Sequence, residues 1–133
     1  MSPHTYLDAS AIVKLVVLEP EWAALQQFLR DRSSRLSSTL AEVEVSRALR
    51  RAGYGPPEQR RADEVLRRMV LVNVDRRLLR DATALLPLSL RSLDAIHLAT
   101  ALAVGDDLAG IVTYAHRLLS AAAAAGVEVW APA

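Results

Sequence analysis

Short runs of apolar and β-branched residues alternate along this chain with helical segments of ten or more residues, and that alternation restricts the possible folds more than any other feature. Strands separated by helices need crossover connections and therefore pair in parallel, whereas hairpin-linked strands do not. Thr5-Tyr6-Leu7 reads as a first strand ending at Asp8, after which Ser10 can cap a helix over residues 11–17. Pro20 suits the first turn of a second helix, which carries Trp22, Leu25, Phe28 and Leu29 at helical spacing and should end near Arg32. Arg35-Leu36-Ser37-Ser38 is a strand candidate, and Thr39 then opens a helix running to about Ala52, stopped by Gly53 and Gly55. Pro56 and Pro57 start the next helix, to about Arg68, and the β-branched run over residues 69–74 is the best strand signal in the chain. Asp75 can cap a helix to Leu85, and Ser92 another from Leu93 to about Val104, terminated by Gly105. Residues 110–114 form a strand, His116 to Ala125 an Ala-rich helix stopped by Gly126, and Val127 to Trp130 a closing strand. The predicted class is α/β: three layers with a central, mainly parallel sheet of about five strands, built as a single domain over residues 1–133.

The absence of cysteine removes disulfides, thiolate zinc sites and a thiol nucleophile, and leaves oxygen or imidazole as metal donors. Apolar residues at 52% and charged ones at 23% fit a chain that packs a core, not a disordered or fibrous one. No apolar run approaches the roughly 20 residues of a membrane span, and Met-Ser-Pro-His lacks the basic start of a signal peptide. These features predict a cytoplasmic protein with no membrane segment.

The net charge of +1 conceals a strong preference for arginine, since Lys14 is the one lysine. Arg47, Arg50, Arg51, Arg60, Arg61, Arg67 and Arg68 are interrupted only by the acids Glu58, Asp63 and Glu64. Such a patch suits phosphates or an acidic partner, although solvated helix faces account for it more simply.

In an open parallel sheet, ligands bind beyond the carboxyl ends of the strands. Asp8 occupies such a position, where it can ligate a hard cation or merely cap the following helix. Asp94 lies in the first turn of an apolar, small-residue helix that reads as buried, and a buried acid needs a partner or a cation. His97, three residues on, lies on the same face and reads as a hydrogen-bonding group, not a ligand. Glu42 and Glu44 share one helix but point about 160° apart, so only one of them can serve a common centre. Each borders the apolar stripe formed by Ala41, Val45, Ala48, Leu49 and Ala52, so geometry does not choose. Glu44 has Arg47 and Arg51 beside it, which makes a structural ion pair its simplest reading.

Three stretches together form a recognisable pattern: residues 6–15 (Tyr-Leu-Asp-Ala-Ser-Ala-Ile-Val-Lys-Leu), residues 43–51 (Val-Glu-Val-Ser-Arg-Ala-Leu-Arg-Arg) and residues 93–101 (Leu-Asp-Ala-Ile-His-Leu-Ala-Thr-Ala). In order and spacing the chain resembles PIN-domain proteins, and most closely VapC-type toxins, over essentially its full length. The resemblance implies a PIN-like fold and a Mg²⁺- or Mn²⁺-dependent endoribonuclease of a type II toxin–antitoxin pair. It further implies a VapB-type antitoxin as partner, a structured RNA as substrate, and homodimers. It selects Glu44, the acid preceding the hydrophobic-x-Arg-Ala-Leu run, to join Asp8 and Asp94 as the catalytic, metal-holding acids. Ser10, His97 and Thr113 are expected to support them, and Arg47, Arg50 and Arg51 to contact RNA or antitoxin. The family's fourth acid follows Thr-Tyr; here Thr113-Tyr114 is followed by Ala115, so turnover is expected to be impaired.

The expected chemistry has its own physical logic. Clustered carboxylates cannot all ionise without a compensating cation, and hard oxygen donors suit Mg²⁺. A weak PIN-fold module that binds antitoxin or RNA is the main alternative, supported by Ala115. A phospho-receiver using Asp75 as acceptor and Thr113 as switch hydroxyl is a more distant one, and the lack of Gly-x-Gly-x-x-Gly after the first strand counts against dinucleotide binding.

Overall fold

The computed structural model describes residues 3–133. Strand β1 (His4–Leu7) leads into α1 (Ala9–Val16) and α2 (Glu21–Leu29); β2 (Arg35–Ser38) leads into α3 (Leu40–Arg51) and α4 (Pro56–Arg67). After β3 (Val70–Val72) come α5 (Arg76–Thr83) and α6 (Ser92–Leu102), then β4 (Leu108–Val112), α7 (His116–Ala124) and β5 (Val129–Trp130). The five strands run in the order β3-β2-β1-β4-β5, and every pair is parallel. The sequence reading of a three-layer α/β arrangement therefore holds.

Alternation along β1 divides the interior into two cores. Leu7 faces a cluster with Ile12, Val16, Leu25, Leu29, Val45 and Leu49, contributed by α1, α2 and α3. Tyr6 faces the other way, into a cluster with Leu98, Ile111, Leu118 and Ala122 from α6, β4 and α7. Both central strands are thus covered on each face, as parallel sheets require. Tertiary packing also closes the last strand. Gly110 in β4 lies so close to Trp130 of β5 that a Cβ there would overlap the indole and come within 2.7 Å of the Glu128 carbonyl. Trp130 in turn packs on Phe28, and the Arg32 guanidinium lies over both rings.

The path of the chain defines a crevice. From β1 the chain builds outward through β2 to β3, then returns to the other side of β1 to add β4 and β5. The reversal lies between β1 and β4, and adjacent crossovers depart there to opposite faces, which leaves a gap at the carboxyl ends of these two strands.

Several local expectations are corrected. Ser10 is not the cap of α1: Asp8 is, with Oδ1 accepting from the Ala11 N–H at 3.1 Å, and Ser10 sits inside the first turn. Ser92 is likewise the first residue of α6, with Arg91 in the capping position. The run at 69–74 yields a strand of only three residues, because β3 is the edge of the sheet and Val70 faces solvent. The polar-looking Arg35–Ser38 is instead an internal strand, its two serines fully buried. Asp75 does cap α5, accepting from the Leu78 N–H at 2.9 Å. It does so beyond the edge strand, separated from β1 by β2, so the arrangement a phospho-receiver would need is missing.

Candidate functional site

Asp8 stands at the carboxyl end of β1, inside the crevice, and is 3% exposed. Its carboxylate is held at three points. Oδ1 accepts from the Ser10 hydroxyl at 2.7 Å and from the Ala11 N–H, and Oδ2 accepts from the Thr113 hydroxyl at 2.8 Å. Ser10 and Thr113 are themselves fixed, because Ser10 Oγ accepts from the Tyr114 N–H at 2.9 Å and Thr113 Oγ1 from the Ala115 N–H at 3.0 Å. Both hydroxyl protons are thereby committed to Asp8. A carboxylate offers about four lone-pair positions, so one on Oδ2 stays open.

Asp94, in the first turn of α6, is half-buried. Burial raises its pKa above the usual carboxylate value, and the Asp8 charge raises it further, with Glu44 adding to the effect; His97 and Arg91 oppose it. Asp8 is also pushed up, by burial first, against the lowering influence of its Ser10 and Thr113 hydrogen bonds. Asp94 thus feels the Asp8 charge.

Glu44 approaches from α3, and its partner corrects the sequence reading. Neither Arg47 nor Arg51 pairs with it. Instead Oε1 meets His97 Nε2 at 2.6 Å, and His97 Nδ1 meets the Tyr6 hydroxyl at 2.7 Å. This contact also separates the two glutamates, since Glu42 is exposed and Glu44 is drawn inward. Among the described residues the ion pairs are Lys14 with Glu19, Lys14 with Glu21, and His97 with Glu44. Among the described residues, no arginine or lysine forms an ion pair with Asp8, Glu44 or Asp94, although Arg91 acts on Asp94 from farther off.

A depression of about 410 Å³ opens beside Glu44, lined also by Ser10, Val13, Arg47, Arg51 and Leu93; neither Asp8 nor Asp94 is among its lining residues. Arg47 and Arg51 therefore lie beside Glu44. Arg50 does not: it lines a separate hollow with Tyr54, Pro56, Gln59 and Asp63, because one residue's step around α3 turns it away. Ala115 occupies the capping position of α7 without a side-chain cap bond, at the carboxyl end of β4. Asp106 and Asp107 lie before β4, at the opposite edge. Tyr6 is the residue that sequence reasoning missed; its one signal was a hydroxyl in a strand otherwise destined for the core, where it must find a partner.

The donor set fits a hard divalent cation by its chemistry: oxygen ligands, an open lone pair on Asp8, the Asp8 charge acting on Asp94, and no lysine or arginine ion pair among the described residues. As placed, no group of three or more His, Asp or Glu side chains among the described residues could hold a metal ion. Among the same residues, no helix is long and apolar enough to cross a membrane.

Comparison with known proteins agrees with this architecture. The PIN domain family matches residues 5–122. Ribonuclease VapC46 of Mycobacterium tuberculosis is 49% identical over 127 residues, with 96% of each chain covered. Ribonuclease VapC35 of the same organism is 42% identical over 131 residues, again with 96% of each covered. Two solved structures share the fold at low identity. The Sarcin-Ricin loop cleaving toxin VapC20 of Mycobacterium tuberculosis superposes with a TM-score of 0.74 at 14% identity, covering 93% of this chain and 96% of its own. A chain of a toxin-antitoxin complex from Klebsiella pneumoniae gives 0.70 at 20%, covering 97% and 98%. With the family match spanning most of its length and VapC relatives aligned nearly end to end, the chain belongs to the PIN domain family and, within it, to the VapC group.

Proposed function

We propose that this protein is a divalent-metal-dependent endoribonuclease, the toxin of a type II toxin–antitoxin pair, with Asp8, Glu44 and Asp94 as its metal-holding acids. One observation carries the reading: buried Asp8 and half-buried Asp94 both have pKa values raised by burial, the Asp8 charge raises that of Asp94 further, and among the described residues no lysine or arginine forms an ion pair with Asp8, Glu44 or Asp94. The VapC relatives, named as ribonucleases, support the same reaction class. Mg²⁺ or Mn²⁺ is the ion that suits these donors. When bound, such an ion lowers the pKa of a coordinated water and offsets charge on the phosphodiester. The chain's own residues do the rest. Ser10, Thr113 and the Ala11 N–H hold Asp8 in orientation, His97 holds Glu44, and Arg47 and Arg51 grip phosphates without reading bases. A VapB-type antitoxin is the partner, the active form is a homodimer, and the compartment is the cytoplasm.

Ala115 favours a second reading in one respect. A PIN module without a fourth acid binds RNA or antitoxin more readily than it turns substrate over, and losing a positioned catalytic group commonly costs on the order of 10²–10⁴ in rate. Titration with Mg²⁺ or Mn²⁺, followed by cleavage of a structured RNA, separates the two. Cleavage that requires the ion and is lost in Asp8→Ala supports the nuclease. Cleavage indifferent to Asp8→Ala removes it.

A further inference from the structure

Glu44 reaches the crevice from α3 on a side chain that is 23% exposed, and a glutamate with three rotatable bonds has many other places to be. Its direction is set by a chain of contacts through the sheet. His97, 1% exposed on α6, touches Glu44 Oε1 through Nε2. On its other nitrogen it meets the Tyr6 hydroxyl of β1, a side chain 0% exposed whose ring also packs edge-on against the imidazole, with centroids 5.8 Å apart and planes at 72°. An ionised carboxylate only accepts hydrogen bonds, so Nε2 carries hydrogen. A neutral ring then has Nδ1 bare, and the phenol donates to it. The nearby Thr100 hydroxyl is committed elsewhere, donating to the Ile96 carbonyl at 2.7 Å. A phenylalanine would fill the same core volume without the cost of burying a hydroxyl, so the tyrosine is explained by what its oxygen touches.

We propose that Tyr6 is a positioning residue for Glu44: by fixing the ring and tautomer of His97 from within the core, it sets the direction in which Glu44 presents its carboxylate to a divalent cation. The inference rests on Glu44 being a metal-holding acid. Partners outside the coordination sphere that orient ligands commonly change metal affinity by about 10–100-fold. Tyr6 acts one residue further out, so an effect of about threefold to tenfold is expected.

The test is Mn²⁺ binding to the metal-free protein, followed by electron paramagnetic resonance or calorimetry in four forms: wild type, Tyr6→Phe, Glu44→Ala and the double variant. Tyr6→Phe should weaken binding by the stated factor, Glu44→Ala should weaken it more, and the double variant should match Glu44→Ala alone. If Tyr6→Phe binds Mn²⁺ like wild type, or costs the same factor when Glu44 is already absent, the proposal is wrong. If Tyr6→Phe weakens binding while Glu44→Ala does not, the assignment of Glu44 itself fails, and this proposal with it. Nitrogen NMR of His97 in the unmodified protein needs no variant. It should show Nε2 protonated and Nδ1 a bare acceptor, and the opposite tautomer would overturn the relay even if Tyr6→Phe did not fold.

Discussion

The Thr113 hydroxyl donates to Asp8 Oδ2 at 2.8 Å across 105 positions of sequence, joining the carboxyl ends of β1 and β4. This bond does two things at once. It satisfies a buried carboxylate, and it fixes the oxygen that still has a lone pair to offer. Thr113→Val keeps the shape and removes the donor, so it should cost about 1–3 kcal/mol of stability, the usual penalty for an under-satisfied buried group. Thr113→Ser should retain most of it. Denaturant unfolding of the two variants checks this, and equal midpoints for Val and Ser would show that the hydroxyl does not hold Asp8.

The acids also impose a pH dependence on the metal-free protein. Burial raises the folded-state pKa of both Asp8 and Asp94 above 3.8, so as pH rises from there the unfolded chain gives up these protons first. The unfolded state then binds fewer protons than the folded one, and stability falls with rising pH through the raised values. In chelator, Asp8→Asn should therefore be more stable than wild type at pH 7, with the gap narrowing toward pH 4. Added Mn²⁺ should raise the Tm of wild type more than that of the variant. A wild type at least as stable as Asp8→Asn at pH 7 would contradict this account.

Ala115 offers a gain-of-function test. An aspartate there stands at the capping position of α7 and beside the crevice. As a cap it should contribute about 0.5–2 kcal/mol, but without a cation it adds a further negative charge next to Asp8. Ala115→Asp should thus raise RNA cleavage by on the order of 10²-fold, and its Tm should gain more from divalent metal than that of wild type. Single-turnover cleavage and melting curves with and without Mn²⁺ measure both.

Arg47 and Arg51 lie beside Glu44, whereas Arg50 lines a different hollow. Replacing either flanking arginine with alanine should weaken binding to an uncleavable RNA and lower the slope of log affinity against log salt by about 1, without changing sequence preference. Arg50→Ala should leave the slope near its wild-type value. Filter binding across a salt series distinguishes the three.

The layer order was legible because helices and strands announce themselves through periodicity, caps and glycine stops, and these are local signals. Strand rank was not. The apolar run at 69–74 looks central and is peripheral, while Arg35–Ser38 looks peripheral and is internal, because burial depends on which strand lies alongside and not on the residues themselves. Asp8 and Asp94 stand out from their positions after a strand and in a buried helix turn, whereas Glu44 is selected through resemblance, because the helix wheel alone leaves Glu42 and Glu44 equal. What separates them is His97, 53 residues away, and what braces His97 is Tyr6, 91 residues from it. Contacts over such spans leave no trace in a local pattern, which is why arginine seemed the natural partner of Glu44.

Since β1 pairs directly with β4, the crevice exists only once the chain has been made through β4 and Thr113. A ribosome-bound fragment stopping short of Leu108 carries all three acids, yet it lacks the neighbouring strand and the Thr113 hydroxyl that hold Asp8 in place. Assembly of the pocket therefore waits for β4, and a fragment made only as far as α6 leaves Asp8 without the partner that Thr113 supplies.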